Sequence, residues 1–161
     1  MIQGYVKTLF LIFFCIEGLS VDGHRYVDDA IFQGAKVIVH SKDIEKQPGI
    51  IYIKVADALD ELNRVSNVFY DYPSKKMRVV GVTGTSGKTV VASMVKSVMD
   101  HYCKAAYMGT ISLEYDGVEE QCPYTTPETL YVQKKLFDMA RRGVKVVAME
   151  ASSHGLALKK N

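Results

Sequence analysis

The sequence predicts an α/β fold, a small N-terminal α/β domain followed by the start of a parallel-sheet domain, and three observations lead there. Short apolar runs alternate with stretches whose apolar positions recur every three or four residues, the pattern of buried parallel strands interleaved with covering helices. One of those runs, in VVGVTGTSGKTVV at 79–91, feeds directly into a glycine-rich loop that opens a helix. Between the two halves, Asp71-Tyr72-Pro73-Ser74-Lys75-Lys76 interrupts the periodicity with proline and charge. That break divides the chain into residues 1–72 and 73–161.

In the first part, the apolar run Leu9 to Ile16 reads as a buried strand. Lys7 before it gives the charge-then-apolar order of a secretory signal. The run is too short to span a bilayer, lacks a small-x-small cleavage pattern and is interrupted by Glu17, so the strand reading is preferred. Gly18 to Gly23 is turn-rich. Tyr26 to Gln33 then forms a short helix with Val27, Ala30 and Ile31 on one face and Gly34 just past its end. Ala35 to His40 and Ile50 to Val55 are further strands, separated by the polar loop Ser41 to Gly49. Ala56 to Tyr70 is an amphipathic helix carrying Leu59, Leu62, Val65 and Phe69.

The second part opens with the strand Arg78 to Thr83. After the glycine loop, a helix from Lys88 to about His101 is expected to bury Val91, Met94, Val95 and Val98. A strand at Ala105 to Met108 follows. Ile111 to Tyr115 and Val118 to Gln121, joined by Asp116-Gly117, suggest a surface hairpin, because Asp-Gly readily takes the positive φ of a tight turn. Thr126-Pro127-Glu128 combines a hydroxyl cap, a first-turn proline and an acid, and so starts a helix. Gly143 closes it, and the apolar strand Val144 to Met149 ends on Glu150.

Composition narrows the functional classes. Of 161 residues, 48% are hydrophobic and 24% charged, as in a soluble globular protein. Twenty basic and eighteen acidic side chains are spread without a basic block, which argues against nucleic acid as a partner. Cys15, Cys103 and Cys122 are odd in number and widely separated, so neither a disulfide framework nor a zinc site is expected. A reducing cytoplasm fits best.

The glycine loop carries the chemistry. Backbone N–H groups at a helix N-terminus favour an anion, and glycines let the backbone wrap phosphates without Cβ clashes. Gly84, Thr85, Ser86, Gly87, Lys88 and Thr89 therefore read as a cradle for a nucleoside triphosphate, most simply ATP with Mg²⁺. Lys88 would contact the outer phosphates and the Thr89 hydroxyl the metal. Val82 stands where the commoner motif has its first glycine, making this the shorter G-x-x-G-K-T form. A divalent ion also wants a carboxylate, and Glu150, at a strand end, is the candidate metal ligand; the alternative is a solvent-facing glutamate. Thr125 and Thr126 suit an anionic substrate group or, for Thr126, a cap alone. Ser152, Ser153 and His154 lack a G-x-S-x-G elbow and read as polar lining. His24, His40 and His101 read as surface or packing residues, and Tyr70 and Tyr72 as packing at the boundary.

In their order along the chain, DYPSKKMRVVGVTGTSGKT, YTTPET and AMEASSHGL resemble the Mur ligase family of peptidoglycan synthesis. The likeness is strongest to the members that add the third residue to UDP-N-acetylmuramoyl-L-alanyl-D-glutamate. LFFCIEGLSVDGHRYVDDAIFQGAKVIV is similar to the same members' UDP-binding first domain.

The resemblance implies an ATP-dependent amide-bond ligase, monomeric and cytoplasmic, using ATP and Mg²⁺. ATP would phosphorylate the D-glutamyl side-chain carboxylate, and the amine of meso-diaminopimelate or L-lysine would attack the acyl phosphate. By the same likeness Thr89 and Glu150 hold the metal, Thr125, Thr126 and Ser152 contact the muramoyl-dipeptide, and Leu19, Ser20 and Val21 line the uridine pocket.

Departures accompany the likeness. Met1 to Thr8 has no D-S-R segment, and Leu158 and Lys160 stand where the family carries a polar residue and an arginine. The family's later metal motif, carbamylated lysine and third domain have no counterpart in the 161 residues. The expectation is therefore the first domain and the opening of the central ATPase domain of a longer enzyme, inactive in ligation alone. The rival readings are another Mur ligase, a folylpolyglutamate synthetase, or a decayed nucleotide-binding fragment.

Overall fold

The computed structural model describes residues 12–18, 21–109, 111–122 and 129–152. The chain divides into two compact units, residues 1–62 and 63–161.

The first unit is a three-stranded parallel sheet in the order β1 (Ile12–Phe14), β2 (Val37–His40), β3 (Ile51–Lys54). Gly23–Tyr26 forms a 3-10 turn, where the sequence suggested loop, and runs straight into α1 (Val27–Phe32). Gly34, at φ 101°, closes that helix by donating to the Ile31 carbonyl. Cys15, Val27, Ala35 and Ile38 make the core, with Phe13, Ile31 and Tyr52 packed on it. Burial pushes the Cys15 thiol up to about 11, so it is a protonated packing residue at neutral pH.

A polar clamp ties the carboxyl ends of β1 and β2 together. Asp22 Oδ1 accepts from the His24 backbone N–H at 3.0 Å and from His24 Nδ1 at 2.6 Å. His24 Nε2 in turn accepts from the Ser41 N–H at 3.1 Å, which fixes Nδ1 as the protonated nitrogen. Lys42 bridges Asp22 and Glu17 at 2.7 and 2.9 Å. His24 is thus no isolated surface residue; besides Asp22, its partners Ser41 and Lys42 lie seventeen and eighteen residues away, beyond the reach of local pattern.

The Lys42 ammonium, and after it the His24 N–H, hold the Asp22 carboxyl well below the usual carboxylate range. A depressed folded value contributes stability above the unfolded pKa and loses it as pH falls through the folded one. Asp22→Asn should therefore melt below the native chain at neutral pH, and the gap should close progressively below about pH 4. Circular-dichroism melts of the two proteins from about pH 7 to about pH 2 check this; a gap that persists at the acid end contradicts it.

The helix α2 (Ala58–Phe69) is capped by Asp57, whose Oδ1 accepts from the N–H groups of Leu59 and Asp60. Beyond it Asp71 and Tyr72 take positive φ of 55° and 47°, turning the chain into Pro73. Tyr70 is buried with its ring 5.8 Å from Phe137.

The second unit is a five-stranded sheet in the order β4 (Arg78–Val82), β8 (Val146–Glu150), β5 (Ala105–Met108), β6 (Ser112–Tyr115), β7 (Val118–Gln121). The pairs β4–β8 and β8–β5 are parallel, whereas β6 and β7 run antiparallel. Asp116 and Gly117, at φ 46° and 77°, make the tight turn that joins them. The hairpin is not a surface appendage: β6 hydrogen-bonds to β5 and buries Leu113 and Tyr115.

Two helices cover the sheet, and strand alternation sorts their partners. On one face α4 (Thr129–Arg141) packs Val132, Leu136 and Met139 against Ala106, Met108, Val147 and Met149. Toward the other face, Tyr107 and Ala148 meet Ala92 and Val95 of α3 (Lys88–Met99). The buried face of α3 is therefore not the one expected. Val91, Met94 and Val98 are 48%, 61% and 59% exposed, because the stripe that meets β5 and β8 is centred on Ala92. Among the described residues, β4 is the edge of the sheet, and nothing beyond it covers the valine stripe. The predicted start of α4 at Thr126-Pro127-Glu128 lies outside the described residues.

Candidate functional site

The loop between β4 and α3 has the backbone a phosphate cradle requires. Gly84 and Gly87 take φ of 149° and 78°, a region that disfavours side chains. Gly87 is the N-cap of α3 and uses no side-chain cap. The first N–H groups of the helix lack intrahelical acceptors by geometry, and with the helix dipole they present a positive end. Lys88 folds back so that Nζ donates to the Gly84 carbonyl at 2.8 Å, keeping a cation over the loop. Thr85 and Ser86 are exposed, and Thr89 is half-buried in the first turn.

Strand register brings an acid beside this loop. Glu150, the last residue of β8, is paired with Val82, the last residue of β4, two positions before Gly84. It is 1% exposed, which rules out the solvent-facing alternative. The alternation that sends Val147 and Met149 toward α4 sends Ala148 and Glu150 toward α3. There the Tyr107 hydroxyl donates to Glu150 Oε1 at 2.5 Å. Burial, then the Glu150 carboxylate, push the Tyr107 phenol far above its ordinary value, so it retains its proton and donates. The Thr89 side chain and the Ile111 N–H lie near the phenol oxygen. Tyr107 and Glu150 form one polar node on the α3 side of the sheet, with Thr89 beside it.

Gly109 completes the node by having no side chain. A Cβ there would collide with both Glu150 Oε1 and the Tyr107 hydroxyl. Sequence reading overlooked Tyr107 and Gly109; the only local signal for Tyr107 was a lone hydroxyl in an otherwise apolar strand.

The donor set suits a hard cation. No group of three or more His, Cys, Asp or Glu that could hold a metal ion by itself occurs among the described residues. One buried carboxylate and one hydroxyl beside a phosphate cradle are the sparse protein ligands Mg²⁺ uses when phosphates and water supply the rest.

The remaining expected residues are more scattered. Val21 is 49% exposed and its carbonyl accepts from the Gly18 N–H at 2.8 Å. Ser152 is half-buried, two residues past Glu150. Leu19, Ser20, Thr125 and Thr126 lie outside the described residues. No helix among the described residues is long and apolar enough to cross a membrane.

The Mur ligase middle domain matches residues 82–161, and the Mur ligase family catalytic domain matches residues 9–74. Three similar proteins are each named UDP-N-acetylmuramoyl-L-alanyl-D-glutamate--2,6-diaminopimelate ligase. That of Oceanobacillus iheyensis is 42% identical, covering 89% of this chain and 29% of its own. The Clostridium tetani protein is 41% identical (91% and 31%), and that of Alkaliphilus metalliredigens 37% (92% and 30%). This chain thus spans about 30% of the length of the curated relatives it matches.

Among solved structures, a ligase of the same name superposes with a TM-score of 0.71 at 23% identity, over 92% of this chain and 30% of that one. The MurF ligase from Thermotoga maritima, solved with ADP, gives 0.54 at 18% identity over 88% and 29%. On these family and sequence matches, the chain belongs to the Mur ligase family.

Proposed function

We propose that this chain binds the phosphates of ATP at Gly84 to Thr89 and a Mg²⁺ ion through Thr89 and Glu150, as part of an amide-bond ligase. The reaction it serves joins 2,6-diaminopimelate to UDP-N-acetylmuramoyl-L-alanyl-D-glutamate, the substrates in the names of its relatives. The observation that carries the reading is the buried Glu150 held at a strand end beside a loop with two positive-φ glycines and an inward-folded lysine.

In that reaction the γ-phosphoryl group passes to the D-glutamyl side-chain carboxylate, and the diamino acid's amine displaces phosphate from the acyl phosphate. Transfer of this kind needs mainly positioning and charge neutralisation. The loop amides and Lys88 hold and neutralise the outer phosphates; Thr89 and Glu150 hold the cation, which when bound adds further charge neutralisation. Thr125, Thr126 and Ser152 are assigned to the muramoyl-dipeptide, and Leu19, Ser20 and Val21 to its uridine, with the two roles divided at 72/73. ATP and a nucleotide sugar as substrates put the enzyme in the cytoplasm. Ligation belongs to the longer enzyme; nucleotide and metal binding are the share proposed for these residues.

Calorimetric titration of the chain with ADP across a Mg²⁺ series tests the assignment. Glu150→Ala should raise the Mg²⁺ concentration for half-maximal ADP affinity by about tenfold or more. An unaltered Mg²⁺ series would remove Glu150 from the site.

A further inference from the structure

Thr89 and Glu150 come from different elements, α3 and β8, and a residue of a third element lies beside both. Tyr107 of β5 is 2% exposed. Its hydroxyl donates to Glu150 Oε1 at 2.5 Å, and the Thr89 side chain lies near the hydroxyl oxygen. Its ring packs against Ala92 and Ala148, a contact that phenylalanine would satisfy equally. The hydroxyl therefore needs its own explanation, since burying a phenolic oxygen costs free energy that a hydrogen-bond partner offsets.

We propose that Tyr107 is a positioning residue for the cation that accompanies the nucleotide, fixing the Glu150 carboxylate beside Thr89 through its hydroxyl. This rests on the nucleotide reading above. A glutamate at a strand end has three side-chain torsions to order, and a hydrogen bond to an ionised acceptor is of the stronger kind. Anchoring one carboxylate oxygen sets the plane of the group before a cation arrives. Outer partners of metal-binding carboxylates act this way, and their loss typically weakens metal binding about tenfold to a hundredfold. The missing side chain at Gly109 supports the same reading, because the space a methyl group would take is given to the Tyr107–Glu150 contact.

The test is the Mg²⁺ dependence of ADP affinity in the native chain, Tyr107→Phe, Glu150→Gln and the double variant. Tyr107→Phe should need about tenfold more Mg²⁺ for half-maximal effect, while with metal chelated it and the native chain bind ADP alike. In the Glu150→Gln background Tyr107→Phe should shift the series no further, since coupled groups are non-additive. A shift below about twofold, or an equal shift in both backgrounds, overturns the inference and leaves the nucleotide reading standing. A native chain that binds no ADP overturns both.

Should Tyr107→Phe fail to fold, the native chain labelled with ¹³C at the tyrosine Cζ supplies the answer. Mn²⁺ added with ADP should broaden the Tyr107 resonance by proximity. A sharp Tyr107 signal in the presence of bound Mn²⁺–ADP overturns the proposal.

Discussion

Replacing Lys88 with alanine should weaken the binding of Mg²⁺–ADP by about a hundredfold, or about 2.8 kcal/mol, with little change in the melting temperature. The two halves of that expectation come from one geometry. Lys88 Nζ sits on the Gly84 carbonyl at 2.8 Å, at a loop whose glycines are exposed. A solvated ammonium–carbonyl contact contributes little to folding, within about 0.5 kcal/mol. Against a phosphate the same ammonium makes charge-assisted bonds at the positive end of a helix. Calorimetry and a thermal melt on the same sample separate the effects. Equal affinity in the two proteins would sink the phosphate assignment, and a large fall in melting temperature would mean that Lys88 is structural.

The second large effect is expected at a residue with no functional group. Gly109→Ala should lower stability by about 3 kcal/mol, roughly 10 °C in melting temperature, and abolish the Mg²⁺ dependence of ADP binding. Gly109 lies outside the left-handed region, so the loss is steric. The added methyl would contend with the Tyr107 hydroxyl and the Glu150 carboxylate, and separating those two takes a hydrogen-bond donor from a buried carboxylate. A Gly109→Ala protein with native melting and native Mg²⁺ response would show that the node is looser than its geometry implies.

What could be read in advance divides along physical lines. The phosphate loop was legible because glycine, lysine and threonine at fixed spacing encode backbone geometry and chemistry locally. Glu150 was legible as a position but not as a burial: whether a strand-end acid faces water depends on which strands flank it, and β4 and β5 come from distant sequence. Tyr107 was hidden for the same reason, since the carboxylate it donates to is forty-three residues away. Of the periodic stripe Val91, Met94, Val95 and Val98, only Val95 packs on the sheet as expected, and the other three were misread. Ala92, too small to weigh in a hydrophobic pattern, is the wholly buried residue there, and close approach of helix to sheet selects it. The Asp116-Gly117 turn was correctly read, yet a hairpin's own sequence does not say whether its first strand will join a neighbour.

The pairing of β8 with β4 and β5 acts as a ruler for the node. Deleting one residue within Val146–Glu150 would turn the carboxylate to the α4 side, because successive side chains alternate. Deleting two would restore the side but withdraw the acid by about 7 Å, out of reach of Tyr107. Changes of length in this strand are thus constrained even where its valines are interchangeable, and variation within the family should appear there as substitution rather than insertion or deletion.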